Sequence, residues 1–362
     1  MPESLASIAV NKCLRIKSSD VVTILLNEHF IPLAEDIAIE CFRNGADVLL
    51  NLYTDRYYVG YLSNLSADSL REPSVWCKEL TRISTAEFWL GDTYDPAAFR
   101  KVPADKKAAD WEGESRAHSL LNQEHKVRSL FVGLGVVSRP RARVYRFNFD
   151  AWKHMMQTAS GVNPDTFAKK GREIASILQS SERIRVRAPN GTDMQMSVKG
   201  RTPLVNDGIV DEQDIQQGNW GSSLPAGSVA VAVIEDSADG KVVLDVPTPG
   251  TDRMIRKIVW TFETGRVTSF EGDRGANDLR KAWEDSSGDR DRIASISIGL
   301  NPKATAGYTV NSIVAGAVGI GMGSNERLGG KNKSGFVYSG TISRCTLEAD
   351  GKTVVEMGKL II

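Results

Sequence analysis

Every histidine of the chain lies in its first half: His29, His118, His125 and His154 are the four, and nothing after them carries an imidazole. Two-metal hydrolysis holds its cations roughly 3.5–4 Å apart, usually with carboxylates and imidazoles together. The later half can offer only carboxylates, with Glu326, Asp236, Asp239 and Asp273 as candidates. The stretches EDSADGK and FEGDRG around the three aspartates read as a turn and a loop entry, where acids are solvated. The histidines are expected on helix surfaces or in packing. Nucleophilic chemistry is no better served. No GxSxG elbow and no GxxxxGK[ST] loop occurs, GGKNKSG has the wrong spacing for a phosphate, and EADGKTVVEMG reads as a hairpin. A serine nucleophile at Ser228 or Ser295 would need a base from another domain. The spacing that stands out is of glycine: GAVGIGMGSNERLGGKNKSGFVYSG, residues 316–340, is built to bring backbone close to something, with Tyr338 its one reactive ring.

The elements that must position such a loop fall into two kinds. VVTILLN (21–27) is an apolar run of strand length, and PLAEDIAIECFRNGAD (32–47) follows with Leu33, Ile37 and Cys41 at helical spacing and Asn44-Gly45 as its stop. VLLNLYT (48–54), AEFWLGD (86–92) and SLFVGLGVV (129–137) repeat the strand signal, the last after a charged helical stretch from Asp105 to Val127. Strands alternating with helices predict a Rossmann-like α/β domain with a parallel sheet. No glycine follows the first strand, so no dinucleotide fingerprint is present. Two helices, NFDAWKHMMQTASG and NPDTFAKKGREIASILQSS, lead to Ser181, after which hairpins are expected around Asn190-Gly191 and Thr264-Gly265, with the helix GANDLRKAWED between the second hairpin and the terminal strands. The expected domains are 1–180, Rossmann-like, and 181–362, α+β and mostly antiparallel.

The 362 residues are enough for two domains. Forty-five Lys and Arg balance forty-five Asp and Glu, which gives no field to recruit nucleic acid or an anionic membrane. The longest apolar stretch, near Ile313–Met322, is far short of the roughly 20 residues of a spanning helix, and the first residues lack the pattern of a signal peptide. A cytoplasmic protein is expected. Cys13, Cys41, Cys77 and Cys345 show no CxxC spacing and are expected to be reduced and packed.

Six motifs in order, APNGTDMQMSVKGR, LPAGSVAVAV, IRKIVWTFETGRVTSFEG, SISIGLNP, GAVGIGMGSN and GGKNKS, make residues 180–358 resemble the thermophilic metallo-aminopeptidases, the aminopeptidase T and aminopeptidase S group. The resemblance places that family's metal-binding and catalytic positions on Ser228 (for Glu of PxGE), Ser295 (for the Glu before GxNP), Gly319 (for His), Glu326 (for Tyr), and Val337 and Ser339 (for a His-x-Asp pair). All six differ, while the glycines, Asn301-Pro302 and Asn332 around them remain. The same loss counts against a related non-haem iron dioxygenase, which needs a facial set of two His and a carboxylate.

The resemblance therefore implies a degenerate member without metal or cofactor: a pseudo-peptidase whose cleft binds a peptide at Ser228, Ser295, Gly319, Glu326, Val337 and Ser339. A precursor peptide of a ribosomal-peptide natural-product pathway, of the kind to which the crocagin pathway belongs, is the implied ligand, with other biosynthetic enzymes as further partners. Two alternatives stand beside it, an aminopeptidase with relocated ligands and a structural dimer partner of an active homologue. Family members of this architecture imply a homodimer, and the small residues of GYTVNSIVAGAVGIGMG are the expected close-packing segment.

Overall fold

A computed structural model describes residues 3–91, 93–250 and 253–362. Two compact units form: Met1–Gly161 with Gly208–Pro225, and Val162–Asp207 with Ala226–Ile362. The fold is mixed α/β, with a parallel sheet in the first unit and antiparallel sheets in the second.

In the first unit, β1 (Val21–Leu26), β2 (Asp47–Leu52), β3 (Ala86–Leu90) and β4 (Arg128–Val132) are joined by a strand from later in the chain, Gly221–Leu224, and every pairing is parallel. Val22, Ile24 and Leu26 of β1, Phe88 and Leu90 of β3 and Leu130 and Val132 of β4 are buried. The Ile31–Arg43 helix opens with Pro32 in its first turn and stops at Asn44, where Gly45 takes φ +81°. Position 92, the last of the predicted strand 86–92, lies outside the described residues. The predicted strand 129–137 ends at Val132 because the chain there turns tightly: a Cβ on Gly135 would stand 2.7 Å from the Leu90 carbonyl oxygen.

The second unit is a pair of sheets. β5 (Arg183–Ala188) and β6 (Thr192–Ser197) form the hairpin at Asn190-Gly191, and β7 (Leu204–Asn206) follows. The chain then supplies Gly221–Leu224 (β8) to the first unit and returns as β9 (Ser228–Ala232) and β10 (Asp239–Leu244). A short ribbon, β11 (Thr248–Pro249) with β12 (Met254–Ile255), precedes the hairpin of β13 (Ile258–Glu263) and β14 (Arg266–Gly272) at Thr264-Gly265. Last come β15 (Ile293–Gly299), β16 (Val318–Gly323), β17 (Val337–Ile342), β18 (Thr346–Ala349), β19 (Lys352–Glu356) and β20 (Lys359–Leu360). The larger sheet runs β14-β13-β10-β6-β5-β18-β19-β20 and the smaller β17-β16-β15-β9-β7.

One face of the smaller sheet carries Val229, Val231, Ile296, Ile298, Val318, Ile320 and Met322, all buried. The Tyr338 ring on that face meets the ring of Trp260 edge-on at 6.0 Å, and Gly340 is glycine because a Cβ would stand 2.6 Å from Leu244 of β10. The two sheets thus close one core. The Asp165–Ser180 helix belongs to this unit and not to the part before residue 180: its Gly171 sits against Val205 and Leu300, and Phe167 against Gly227.

Candidate functional site

Residues directly opposite on antiparallel strands point to the same side. The register of the smaller sheet therefore puts Ser228, Ala230 and Ala232 of β9, Ser295 and Ser297 of β15, Gly319 and Gly321 of β16, and Val337, Ser339 and Thr341 of β17 on the face turned from the core. Five of the six positions singled out in the sequence share this surface: Ser228, Ser295, Gly319, Val337 and Ser339. Ser295, Gly321 and Ser339 stand in one row, and Ser297, Gly319 and Thr341 in the next. Glu326 is apart from them, on an exposed turn of 3-10 helix (Glu326–Leu328) after β16, 3.4 Å from the ammonium of Lys333.

The floor is flat where glycine makes it so. A Cβ on Gly319 would stand 2.5 Å from Ser297 Oγ, and one on Gly321 2.4 Å from Ser295 Oγ, so the hydroxyls of β15 lie over the bare backbone of β16. Among the described residues, the side chains of Ser228, Ser295, Ser297 and Ser339 make no hydrogen bond, although Ser228, Ser295 and Ser297 are half-buried and only Ser339 is exposed. Val337, 66% exposed, marks the outer edge.

The asparagines that remain in the glycine-rich frame are its fasteners. Asn332 Nδ2 donates to the carbonyls of Ile293 (2.7 Å) and Gly323 (3.1 Å), and Asn332 N–H to Asn325 Oδ1 (2.9 Å). Asn325 Nδ2 donates to Glu235 Oε1 (3.2 Å). Glu235 also accepts from the Lys331 N–H (2.7 Å) and pairs with Arg201 at 2.6 Å. Burial pushes the Glu235 carboxyl up, yet the Lys331 N–H, a backbone bond of its own, Asn325 and the Arg201 charge together hold it below its ordinary value. Asn301 Nδ2 donates to the Ala226 carbonyl (2.8 Å).

The donor set does not fit a transition-metal ion. Iron, zinc or cobalt calls for imidazole, carboxylate or thiolate, and this face presents hydroxyls, methyls and bare backbone. The candidate carboxylates do not converge: Asp239 accepts from the Thr264 N–H (2.8 Å), Asp273 from the N–H groups of Gly275 and Arg256 (3.0 Å each), and Asp236 is exposed in its turn. Among the described residues no three His, Cys, Asp or Glu are grouped to hold a metal. Val318–Gly323, the core of the segment expected to associate copies, is a central strand between β15 and β17 with every residue buried.

Sequence reasoning passed over two polar places in the first unit. At the carboxyl ends of the parallel strands, buried Asn27 donates to Asp55 Oδ1 (3.2 Å), and its Oδ1 lies 3.0 Å from His29 Nδ1. Asp55 also accepts from the N–H groups of Tyr94 (2.8 Å) and Asp95 (2.7 Å). Elsewhere the Tyr58 hydroxyl bonds Asp110, Glu114 lies close to both, and Glu114 in turn acts on Glu87. Burial and then the Glu114 charge push the half-buried Glu87 carboxyl up to about 8. Spacing in sequence gives no sign of either group. The four cysteines are free thiols, and burial pushes Cys41 and Cys345 up to about 12.

A parallel α/β unit and a two-sheet unit with a glycine-floored face define an aminopeptidase-like fold. Wild-type AmpT from Thermus thermophilus shares it at a TM-score of 0.77 and 16% identity, over 99% of this chain and 98% of that one. The 2,5-dihydroxypyridine dioxygenase of Pseudomonas putida KT2440 shares it at 0.58 and 15%, over 96% and 93%. By sequence, residues 149–362 match the family model of NicX, 2,5-dihydroxypyridine 5,6-dioxygenase, and the chain belongs to that family. The sequence resemblance pointed to the aminopeptidases and away from a dioxygenase; the family that matches bears the dioxygenase name, and both proteins share the fold. No curated protein matches the chain. Among the described residues no helix is long and apolar enough to cross a membrane.

Proposed function

We propose that the chain binds a peptide on the Ser228–Ser295–Gly319–Ser339 face without cleaving it, and that the ligand is a precursor peptide in a ribosomal-peptide pathway. The observation that carries this reading is the combination of small side chains with hydroxyls that have no protein partner. Solvent reaches these half-buried hydroxyls, which are not among the buried polar atoms without a partner, so a ligand's amide groups can replace the water there at little cost. A flat glycine floor lets an extended backbone approach closely, and recognition through main-chain groups with side-chain contacts at the margin needs no metal. Val337 and Glu326 would form that margin.

Calorimetric titration with a panel of extended peptides tests it. Val337→Arg and Ser339→Trp, both exposed positions, should lower affinity about tenfold or more while the melting temperature holds. Gly319→Trp is a poorer probe, because Ser297 Oγ already occupies the space of its Cβ and the sheet itself would shift. Binding indifferent to both exposed changes would remove this face as the site. Amino-terminal hydrolysis with added zinc, cobalt, manganese or magnesium, abolished by EDTA, would instead establish a peptidase with relocated ligands. The family match favours a second reading, dioxygenation of 2,5-dihydroxypyridine. Oxygen uptake with that substrate and ferrous iron decides it, and sustained uptake would overturn the binding role.

A further inference from the structure

β17 closes one side of the smaller sheet, with β16 against it and no strand of the described residues beyond. Edge strands are ordinarily short, charged, bulged or covered, since their open N–H and C=O groups template pairing. This one reads VYSGTI, in unbroken register with β16 and without a charge or a proline. Its bonds tell which groups are open. The Ser324 N–H donates to the Phe336 carbonyl (3.2 Å), two residues before the pair Met322–Tyr338 in the same register. Hydrogen-bonded pairs recur at every second residue of an antiparallel ladder, so Tyr338, Gly340 and Ile342 turn their polar groups to β16. Val337, Ser339 and Thr341 turn theirs outward.

Chain closes this outward row at both ends. Ahead of the strand, residues 287–289 run beside 333–335, where the Asp289 N–H donates to the Lys333 carbonyl (2.8 Å) and the Gly335 N–H to that of Ser287 (3.4 Å). At the far end the Val246 N–H donates to the Thr341 carbonyl (3.3 Å). Between them, among the described residues, the main-chain N–H and C=O groups of Val337 and Ser339 have no protein partner, and both side chains are exposed. The opening from Gly335 to Thr341 is about 20 Å of strand. An edge strand of another folded sheet would bring its own neighbours and turns against the two brackets, whereas a short extended segment fits between them.

We propose that the peptide enters here as an added strand beside β17, antiparallel, the sense more stable per residue. This rests on the peptide-binding reading and gives it a hold: main-chain bonds at the edge fix the register, and the ligand's flanking residues reach the hydroxyl face. Two ligand residues, two apart, exchange N–H···O bonds with Val337 and Ser339 and set their side chains beside these on the outer face. The residue between them turns its main-chain groups to solvent. Opposite Val337 a β-branched or aromatic side chain pairs best. Proline fits neither bonded position.

Calorimetry and amide exchange on the full chain test this, the probe being the tightest binder from a random decapeptide library. Ser339→Pro removes an outward N–H and no bond to β16, and should weaken that binder about tenfold beyond Ser339→Ala, which keeps the N–H. N-methylation of the peptide, one residue at a time, should weaken it about tenfold at two positions two apart and little at the one between. This series uses the wild type and so answers even where Ser339→Pro fails to fold. In the free chain the Val337 and Ser339 amides should exchange quickly and those of Tyr338 and Gly340 slowly, and peptide should slow the first two. If no peptide of the library binds the wild type, the peptide-binding reading fails and the added strand with it. Equal losses for Ser339→Pro and Ser339→Ala, or an N-methyl profile without the two-residue period, leave that reading standing and overturn the added strand. Val337 and Ser339 amides already slow in the free chain overturn it as well, since the edge would then be covered.

Discussion

Polar side chains gather in two regions that are treated in opposite ways. At the carboxyl ends of the parallel strands, Asn27 bonds both Asp55 and His29, and Asp55 also accepts from the Tyr94 and Asp95 amides, which locks the loops that carry them. On the outer face of the smaller antiparallel sheet, Ser228, Ser295, Ser297 and Ser339 point at nothing the protein supplies. Where every partner is internal, a polar group serves the fold. Where none is, water or a ligand takes that place, and on the proposed reading the difference separates a strut from a surface kept for a ligand.

The largest effect should come from cutting the strut. Asn27→Ala leaves Asp55 and His29 short of a buried partner and opens a gap at a position with no exposed surface. A loss of about 2–4 kcal/mol in denaturant unfolding is expected. A change below about 0.5 kcal/mol would mean that the cluster is not structural and would collapse the contrast.

Next is the fastening of the glycine-rich loop. Glu235→Gln keeps the size of the side chain and removes the charge that meets Arg201, the Lys331 amide and Asn325, for an expected loss of about 1.5–3 kcal/mol near neutrality. The folded-state value of Glu235 is lowered, so its contribution is present above the ordinary 4.5 and fades as pH falls through the lowered value. The gap between wild type and variant should therefore close on acidification below pH 4. A pH-independent gap would assign the cost to geometry alone.

Glu87 has the opposite sign. Its value is raised, so the folded state is favoured below 4.5 and loses ground as pH rises through about 8. Glu87→Gln should match the wild type in thermal melts at pH 4 and overtake it progressively from pH 5 to pH 8. A variant less stable at pH 9 than the wild type would show that the carboxylate has found a partner there.

Much of this architecture is legible in the residues. Asn190-Gly191, Thr264-Gly265 and Asp350-Gly351 mark their hairpins because tight turns need positive φ, and all three glycines have it. The apolar run of β1 with the helix signal after it gives the parallel sheet. The return of Gly221–Leu224 to β4 could not be read, since GSSL has neither apolar pattern nor β-branched residues. The apolar run of β2 looks like a buried strand, and only the strand order reveals an open edge. The site positions were legible one at a time, as losses against a resemblance. That five of them share one face depends on the register of four strands, which no local spacing encodes.

The smallest stability effect belongs to the other side of the contrast. Ser297→Ala removes a hydroxyl without a protein partner from above Gly319, and methyl occupies the same room, so unfolding should change by no more than about 0.5 kcal/mol. If the hydroxyl is kept for a ligand, peptide affinity should still fall by about three- to tenfold, the worth of one hydrogen bond. Stability and binding would then separate at Ser297 and move in the reverse way at Asn27. A Ser297→Ala protein that is less stable by more than about 1 kcal/mol would put that hydroxyl among the struts, and the outer face would lose its claim to be a surface kept open.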